Sequence, residues 1–215
     1  MRAPFLDPVY PLTHCPNPSG ASHADLAGKF LQAGARFFQV RGKNLADRLL
    51  HEQLEQIVTA CRRHGARFVV NDRVDLALAG QASGVHLGQD DLPVAVARQL
   101  LGKEAIIGLS THSRQQFLQA LEEDVDYLAL GPIFESPTKP GPNRPLGCAT
   151  LARLASMTPL PVVAIGGITL ENVTQVWEAG AASAAVISDI AGSLDPSARI
   201  RQYFELAAKR LGGSL

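Results

Sequence analysis

The sequence is poor in several things, and each shortage removes a class of function. It carries no net charge, since 20 Lys and Arg balance 20 Asp and Glu over 215 residues. It therefore lacks the sustained positive field that nucleic acid or an anionic membrane surface requires, although a few gathered cations can still make a local anion site. Cysteine is sparse: Cys15, Cys61 and Cys148 lie far apart with no Cys-x-x-Cys pair, which suggests neither a disulfide framework nor a zinc site. No run of about 18 apolar residues occurs, and residues 1–14 lack a basic stretch followed by an apolar one. The expected setting is cytoplasmic, with neither nucleic acid nor membrane as a partner. No linker-like composition interrupts the chain, so residues 1–215 are expected to form a single domain.

What is present is a core-forming composition, 46% hydrophobic against 19% charged, in an alternating pattern. Eight short apolar runs, at 9–13, 36–40, 67–71, 84–87, 105–109, 127–130, 162–165 and 184–187, read as covered parallel strands. Between them, apolar residues at three and four spacing, such as Leu49, Leu54, Ile57, Val58 and Cys61, read as crossover helices. Gly34-Ala35, Gly65-Ala66 and Gly180-Ala181 each precede a strand, where a glycine can end a helix in the left-handed conformation. Eight such units predict an α/β fold of the (β/α)8 TIM-barrel type. An open doubly wound sheet is the competitor, but no Gly-x-Gly-x-x-Gly loop follows the first strand to mark a dinucleotide site.

In a barrel, function belongs to residues just after each strand. The second strand ends Gln39-Val40-Arg41-Gly42-Lys43, placing an amide and two cations on a common side. Arg and Lys together suit a polyphosphate, while a solvated loop pair is the plain alternative. The third strand ends in Asn71-Asp72, and the fourth leads through His86-Leu87-Gly88-Gln89-Asp90 to Asp91. Asp72 and Asp91 suit a Mg²⁺ ion, which takes few protein oxygens; both also stand where a helix cap is expected. Ser110, Thr111 and His112 follow the fifth strand, where hydroxyls can donate to a ligand and His112 can carry a proton. His86, inside a strand, reads as a core or supporting residue.

After the sixth strand, residues 131–147 form the longest irregular stretch and read as a lid, with Ser136, Thr138 and Lys139 offered to an anion. Gly166-Gly167 after the seventh strand and Ile187-Ser188 after the eighth read as a phosphate cup. No convincing Ser/His/Asp or Cys/His set accompanies them.

Taken in order over nearly the whole chain, these segments resemble the thiamine phosphate synthase family. The resemblance implies a transferase on a (β/α)8 barrel that joins 4-amino-2-methyl-5-hydroxymethylpyrimidine diphosphate to a thiazole phosphate, plain or carboxylated, and releases pyrophosphate with Mg²⁺ as cofactor. Its partners would be those small molecules, and a homo-oligomer is compatible with the sequence. Carried over by position, Gln39, Val40, Arg41, Gly42, Lys43, Asn71, Ser110 and Lys139 would hold the pyrimidine diphosphate, and Asp72 and Asp91 the Mg²⁺. Ser136, Pro137, Thr138, Gly167, Ile187 and Ser188 would hold the thiazole phosphate. Arg41, Lys43, Ser110 and Lys139 would carry catalysis, with Arg41, Lys43 and Lys139 neutralising the charge on the leaving group and no covalent nucleophile. Asp189, beside Ser188, would repel a phosphate unless it points away or caps the next helix. Two other readings stay open: a thiazole tautomerase of the same fold, using His112, and a non-catalytic sensor of a thiamine precursor.

Overall fold

The computed structural model describes residues 5–43, 45–135 and 144–210. Among them strands and helices alternate as β1 (Val9–Pro11), α1 (His23–Gln32), β2 (Phe37–Val40), α2 (Asp47–His64), β3 (Arg67–Asn71), α3 (Val74–Ala79), β4 (Gly84–Leu87), α4 (Val94–Leu101), β5 (Ile106–Thr111), α5 (Arg114–Ala120), β6 (Tyr127–Leu130), α6 (Gly147–Ala155), β7 (Val162–Ile165), α7 (Val173–Glu178), β8 (Ser183–Val186), α8 (Ser188–Ala191) and α9 (Pro196–Arg210). The strands pair in the order β1-β8-β7-β6-β5-β4-β3-β2, and every ladder is parallel. The two ends of that order meet where Leu12 bridges Gln39 and the Thr13 N–H donates to the Gln39 carbonyl at 2.9 Å. The sheet therefore curls into the expected (β/α)8 barrel, its last seam held by that bridge and hydrogen bond in place of a full ladder.

Strand alternation divides the core in two. Phe38, Val40, Phe68, Val70, Val85 and Leu87 point outward and pack with helix residues such as Leu50, Leu54 and Ile57. Tyr10, Phe37, Val69, Ile106, Tyr127, Ala129, Val163 and Ala185 point inward and fill the lumen. Helix α2 shows how a crossover is made: Leu50, Leu54, Ile57 and Cys61 bury one stripe, basic residues gather in its last turn, and Gly65 ends it at φ 61°. Each fully buried Leu or Ile contributes roughly 1.5–3 kcal/mol. Gly34 and Gly180 also take the positive φ expected of them.

Four strands differ in their limits from those read in the sequence, β2 only in starting one residue later, at Phe37. β1 stops at Pro11, because Leu12 and Thr13 turn to make the closing contacts with Gln39. β5 runs on through Ser110 and Thr111, which pair with Ala129 and Leu130 of β6. β8 is displaced by one residue, so that Ile187 becomes the cap of α8 rather than a strand residue. No helix among the described residues is long and apolar enough to cross a membrane.

Candidate active site

The C-terminal ends of β2, β3 and β4 bring Lys43, Arg41, Asp72 and Asp91 together. Asp72 sits at φ 65°, a left-handed conformation that Asp tolerates better than most residues. Its N–H donates to the His86 carbonyl at 2.8 Å, which turns the chain out of β3 and aims the carboxylate at the rim. Lys43 Nζ lies 3.4 Å from Asp72 Oδ2, with the two side chains 47% and 28% exposed, so the pair remains open to a ligand and adds little stability. Burial lowers the Arg41 pKa and the negative charge of Asp72 opposes that.

Asp91 accepts from the Gly88 N–H at 2.6 Å, pinning the turn after β4. Burial raises its pKa; the Gly88 N–H opposes the rise, and the neighbouring Asp72 carboxylate adds to it. Neither acid caps a helix: α3 begins after Arg73 and α4 after Pro93, with no side-chain cap at either. A cleft of about 290 Å³ opens here, lined by Gly42, Lys43, Asn71, Asp72, Arg73 and neighbours on α2. Arg73 is occupied by Asp47 at 2.7 Å and Asp75 at 2.6 Å.

Among the described residues no group of three or more His, Cys, Asp or Glu is arranged for a metal. Two crowded carboxylates suit a cation that takes few protein oxygens and fills its octahedron with water and phosphate, which is the habit of Mg²⁺. Burial, and after it the neighbouring Asp72 carboxylate, raises the Asp91 pKa, and a bound cation would offset both.

Below the rim, polar side chains from five strands join inside the lumen. Gln39 Nε2 donates to Tyr10 Oη at 2.9 Å, Tyr10 Oη and Tyr127 Oη are 2.8 Å apart, Tyr127 Oη is 2.9 Å from His86 Nδ1, and His86 Nε2 is 2.8 Å from Ser110 Oγ. Burial lowers the His86 pKa to about 4 and raises both phenols, so at neutral pH all three side chains are uncharged. Gln39 is 2% exposed, and its Oε1 is buried with no hydrogen-bond partner.

The remaining candidates divide by position. Val40 packs in the outer core, so only its backbone faces the mouth; a Cβ on Gly42 would press into Leu50. Gly167, at φ 65°, is held so close to Phe134 and Glu135 that a Cβ would strike them, and its carbonyl accepts from Asn172 at 2.9 Å. Ile187 packs on the lumen cluster and Ser188 opens α8. Asp189 points away from the cup: its carboxylate accepts from Tyr203 Oη at 2.7 Å and lies 3.8 Å from Arg199. His112 Nδ1 lies 2.7 Å from the Gly131 carbonyl. Ser136, Pro137, Thr138 and Lys139 lie outside the described residues.

Several contributors escaped the sequence reading. Thr13 Oγ1 accepts from the Arg41 N–H at 3.1 Å, and His14 Nδ1 lies 3.5 Å from the Arg41 guanidinium. Both lie just beyond β1, so they belong to the same strand-end face as the other candidates. Tyr10 and Tyr127 read as ordinary strand residues, and only strand alternation toward a lumen could have flagged their hydroxyls.

Residues 9–190 match the family model described as thiamine monophosphate synthase. The chain is 47% identical over 170 residues to the thiamine-phosphate synthase of Chlorobium phaeovibrioides, covering 79% of this chain and 81% of that one. It is 44% identical over 194 residues to the thiamine biosynthesis bifunctional protein ThiM/ThiE of Symbiobacterium thermophilum, covering 90% of this chain but only 40% of that longer protein. The solved thiamine phosphate pyrophosphorylase of Pyrococcus furiosus superposes with a TM-score of 0.86 at 32% identity, over 95% of this chain and 96% of that one.

Proposed function

The chain belongs to the thiamine monophosphate synthase family, and from that premise we propose that it joins the aminopyrimidine diphosphate to a thiazole phosphate, releasing pyrophosphate. The observation that carries this reading is the meeting of Arg41, Lys43, Asp72 and Asp91 at one side of the barrel mouth above an uncharged lumen. Cations at the rim and neutral hydrogen-bonding groups beneath them match a ligand with a polyanionic tail and a neutral heterocyclic head.

The chemistry needs departure of the diphosphate from the methylene carbon, leaving a cation that the electron-rich aminopyrimidine ring stabilises. The thiazole nitrogen then attacks that carbon. Arg41 and Lys43 would neutralise the charge growing on the leaving oxygens without having to reorganise. Asp72 and Asp91 would hold Mg²⁺, which when bound offers the diphosphate a further centre of positive charge. Gln39 Oε1 lacks a partner and would accept from the exocyclic amine; Ser110 would meet the same ring. The backbone around Gly167 and the start of α8 would seat the thiazole phosphate, together with Ser136, Pro137 and Thr138, and Lys139 would reach the diphosphate. Holding the two rings face to face makes bond formation effectively intramolecular. No step requires an enzyme nucleophile.

The test is pyrophosphate release measured with each substrate alone and with both, with and without Mg²⁺. Release only when both substrates and the ion are present is the expected result, and Asp72→Ala is expected to lower it about 100-fold or more while the barrel stays folded. Isomerisation of the thiazole without coupling, or saturable binding without turnover, would overturn the proposal in favour of a tautomerase or a sensor.

A further inference from the structure

The lumen side chains do more than fill space. Gly108 lies on β5, facing the lumen, and a Cβ there would collide with the phenol ring of Tyr127, so the backbone has been left bare to admit that ring. Tyr127 also stacks on the His86 imidazole with centroids 5.5 Å apart and meets Tyr10 edge-on at 5.9 Å. The three rings are thus held from several sides, and their hydroxyls and nitrogens are left with few choices of partner.

Hydrogen-bond arithmetic then sets a direction. Tyr10 Oη accepts from Gln39 Nε2, so its one proton goes to Tyr127 Oη. Tyr127 has one proton of its own, which goes to His86 Nδ1. A neutral imidazole carries a single N–H, so Nε2 keeps it and donates to Ser110 Oγ. Ser110 has accepted, and its proton is left for a ligand. At the far end, Gln39 Oε1 is an acceptor without a partner. The chain therefore leaves an unpartnered acceptor at Gln39 and an unspent proton at Ser110, and His86 can donate to Ser110 only while every bond between it and Gln39 keeps its direction.

Resting on the reaction proposed above, we infer that Tyr10, Tyr127 and His86 are positioning residues forming a one-way hydrogen-bond relay, which commits Gln39 to accept and Ser110 to donate and so selects an amino-pyrimidine over its oxo analogue. The amino form offers an N–H₂ donor beside a ring-nitrogen acceptor. The oxo form offers a C=O beside a ring N–H, the opposite polarity, and would leave the ends of the relay facing like groups. A buried group without its partner is what makes polar sites discriminate strongly.

The experiment uses the whole chain, with Tyr127→Phe and Tyr10→Phe as variants. Inhibition constants are measured for the 4-amino and 4-oxo forms of the pyrimidine alcohol, which bind without reacting, and the ¹⁵N shifts of the His86 ring are recorded in the unaltered protein. Expected are a preference for the amino form of at least about 100-fold, the Nε2–H tautomer at His86, and a loss of about 10-fold or more of that preference in either variant, with KM for the thiazole phosphate unchanged. A merely structural role would lower thermal stability without moving the amino-to-oxo ratio. An unchanged ratio in the folded variants, or an Nδ1–H tautomer at His86, would overturn the inference. The tautomer needs no variant to fold and no turnover. A protein that shows the Nε2–H form but couples nothing refutes the proposed reaction and leaves the relay standing; a coupling enzyme with the Nδ1–H form does the reverse.

Discussion

Acid should weaken this protein through His86, and the size of the effect follows from its burial. The imidazole is 6% exposed, and burial pushes its pKa from 6.5 down to about 4. Between those two values the unfolded chain holds a proton that the folded chain refuses, so stability declines as pH falls from about 6.5 to 4. That interval, at about 1.4 kcal/mol per pH unit, amounts to about 3 kcal/mol, a large part of a total of roughly 5–15. His23, also lowered to about 4 by burial, adds in the same direction. Asp7 and Asp91, raised by burial, act oppositely by taking up protons first in the folded state. The His86 part is isolated by urea unfolding of the unaltered chain and His86→Gln at half-unit steps from pH 7 to 4. At pH 7 the variant should be weaker by about 1–3 kcal/mol for the lost hydrogen bonds. Toward pH 4 the gap between the two should shrink by about 3 kcal/mol. Two curves that run parallel over the whole range would refute the reasoning.

Three other outcomes follow from the geometry. Gly108→Ala drives a methyl into Tyr127 and should cost about 1–3 kcal/mol, read as a lower thermal midpoint; an unshifted midpoint would mean that the ring has room to move. Mg²⁺ affinity, followed by calorimetry, should fall as pH drops through the raised pKa of Asp91, because a protonated carboxyl is a poor ligand. Affinity that is level down to the ordinary carboxylate range would remove Asp91 from the ion's coordination. Asp189→Asn should leave KM for the thiazole phosphate unchanged, since the carboxylate is turned toward Tyr203 and Arg199; a markedly lower KM would show that its charge reaches the phosphate after all.

Much of this architecture was legible in the chain because it rests on local rules. Short apolar runs separated by amphipathic stretches specify covered parallel strands and crossover helices, and glycines such as Gly65 mark where a helix must stop. Once eight units are counted, strand-end residues must share one face, which is why Arg41, Lys43, Asp72 and Asp91 could be named together in advance. The strand limits were less legible. Whether Ser110 extends β5 or Leu12 leaves β1 depends on which neighbour offers a free backbone group, and that is a property of the closed sheet.

The sequence by itself therefore determined the barrel, the rim at which the candidate residues meet, and the charge types gathered there. Only the tertiary structure decided that Asp72 and Asp91 crowd each other instead of capping helices, that Asp189 turns away, and that Tyr10, Tyr127 and His86 connect Gln39 to Ser110. The physical reason is the same in each case. Propensity and periodicity act between residues near in sequence, whereas a hydrogen-bond partner or a like-charge neighbour comes from strands far apart in the chain, 117 positions in the case of Tyr10 and Tyr127, which meet only when the barrel closes.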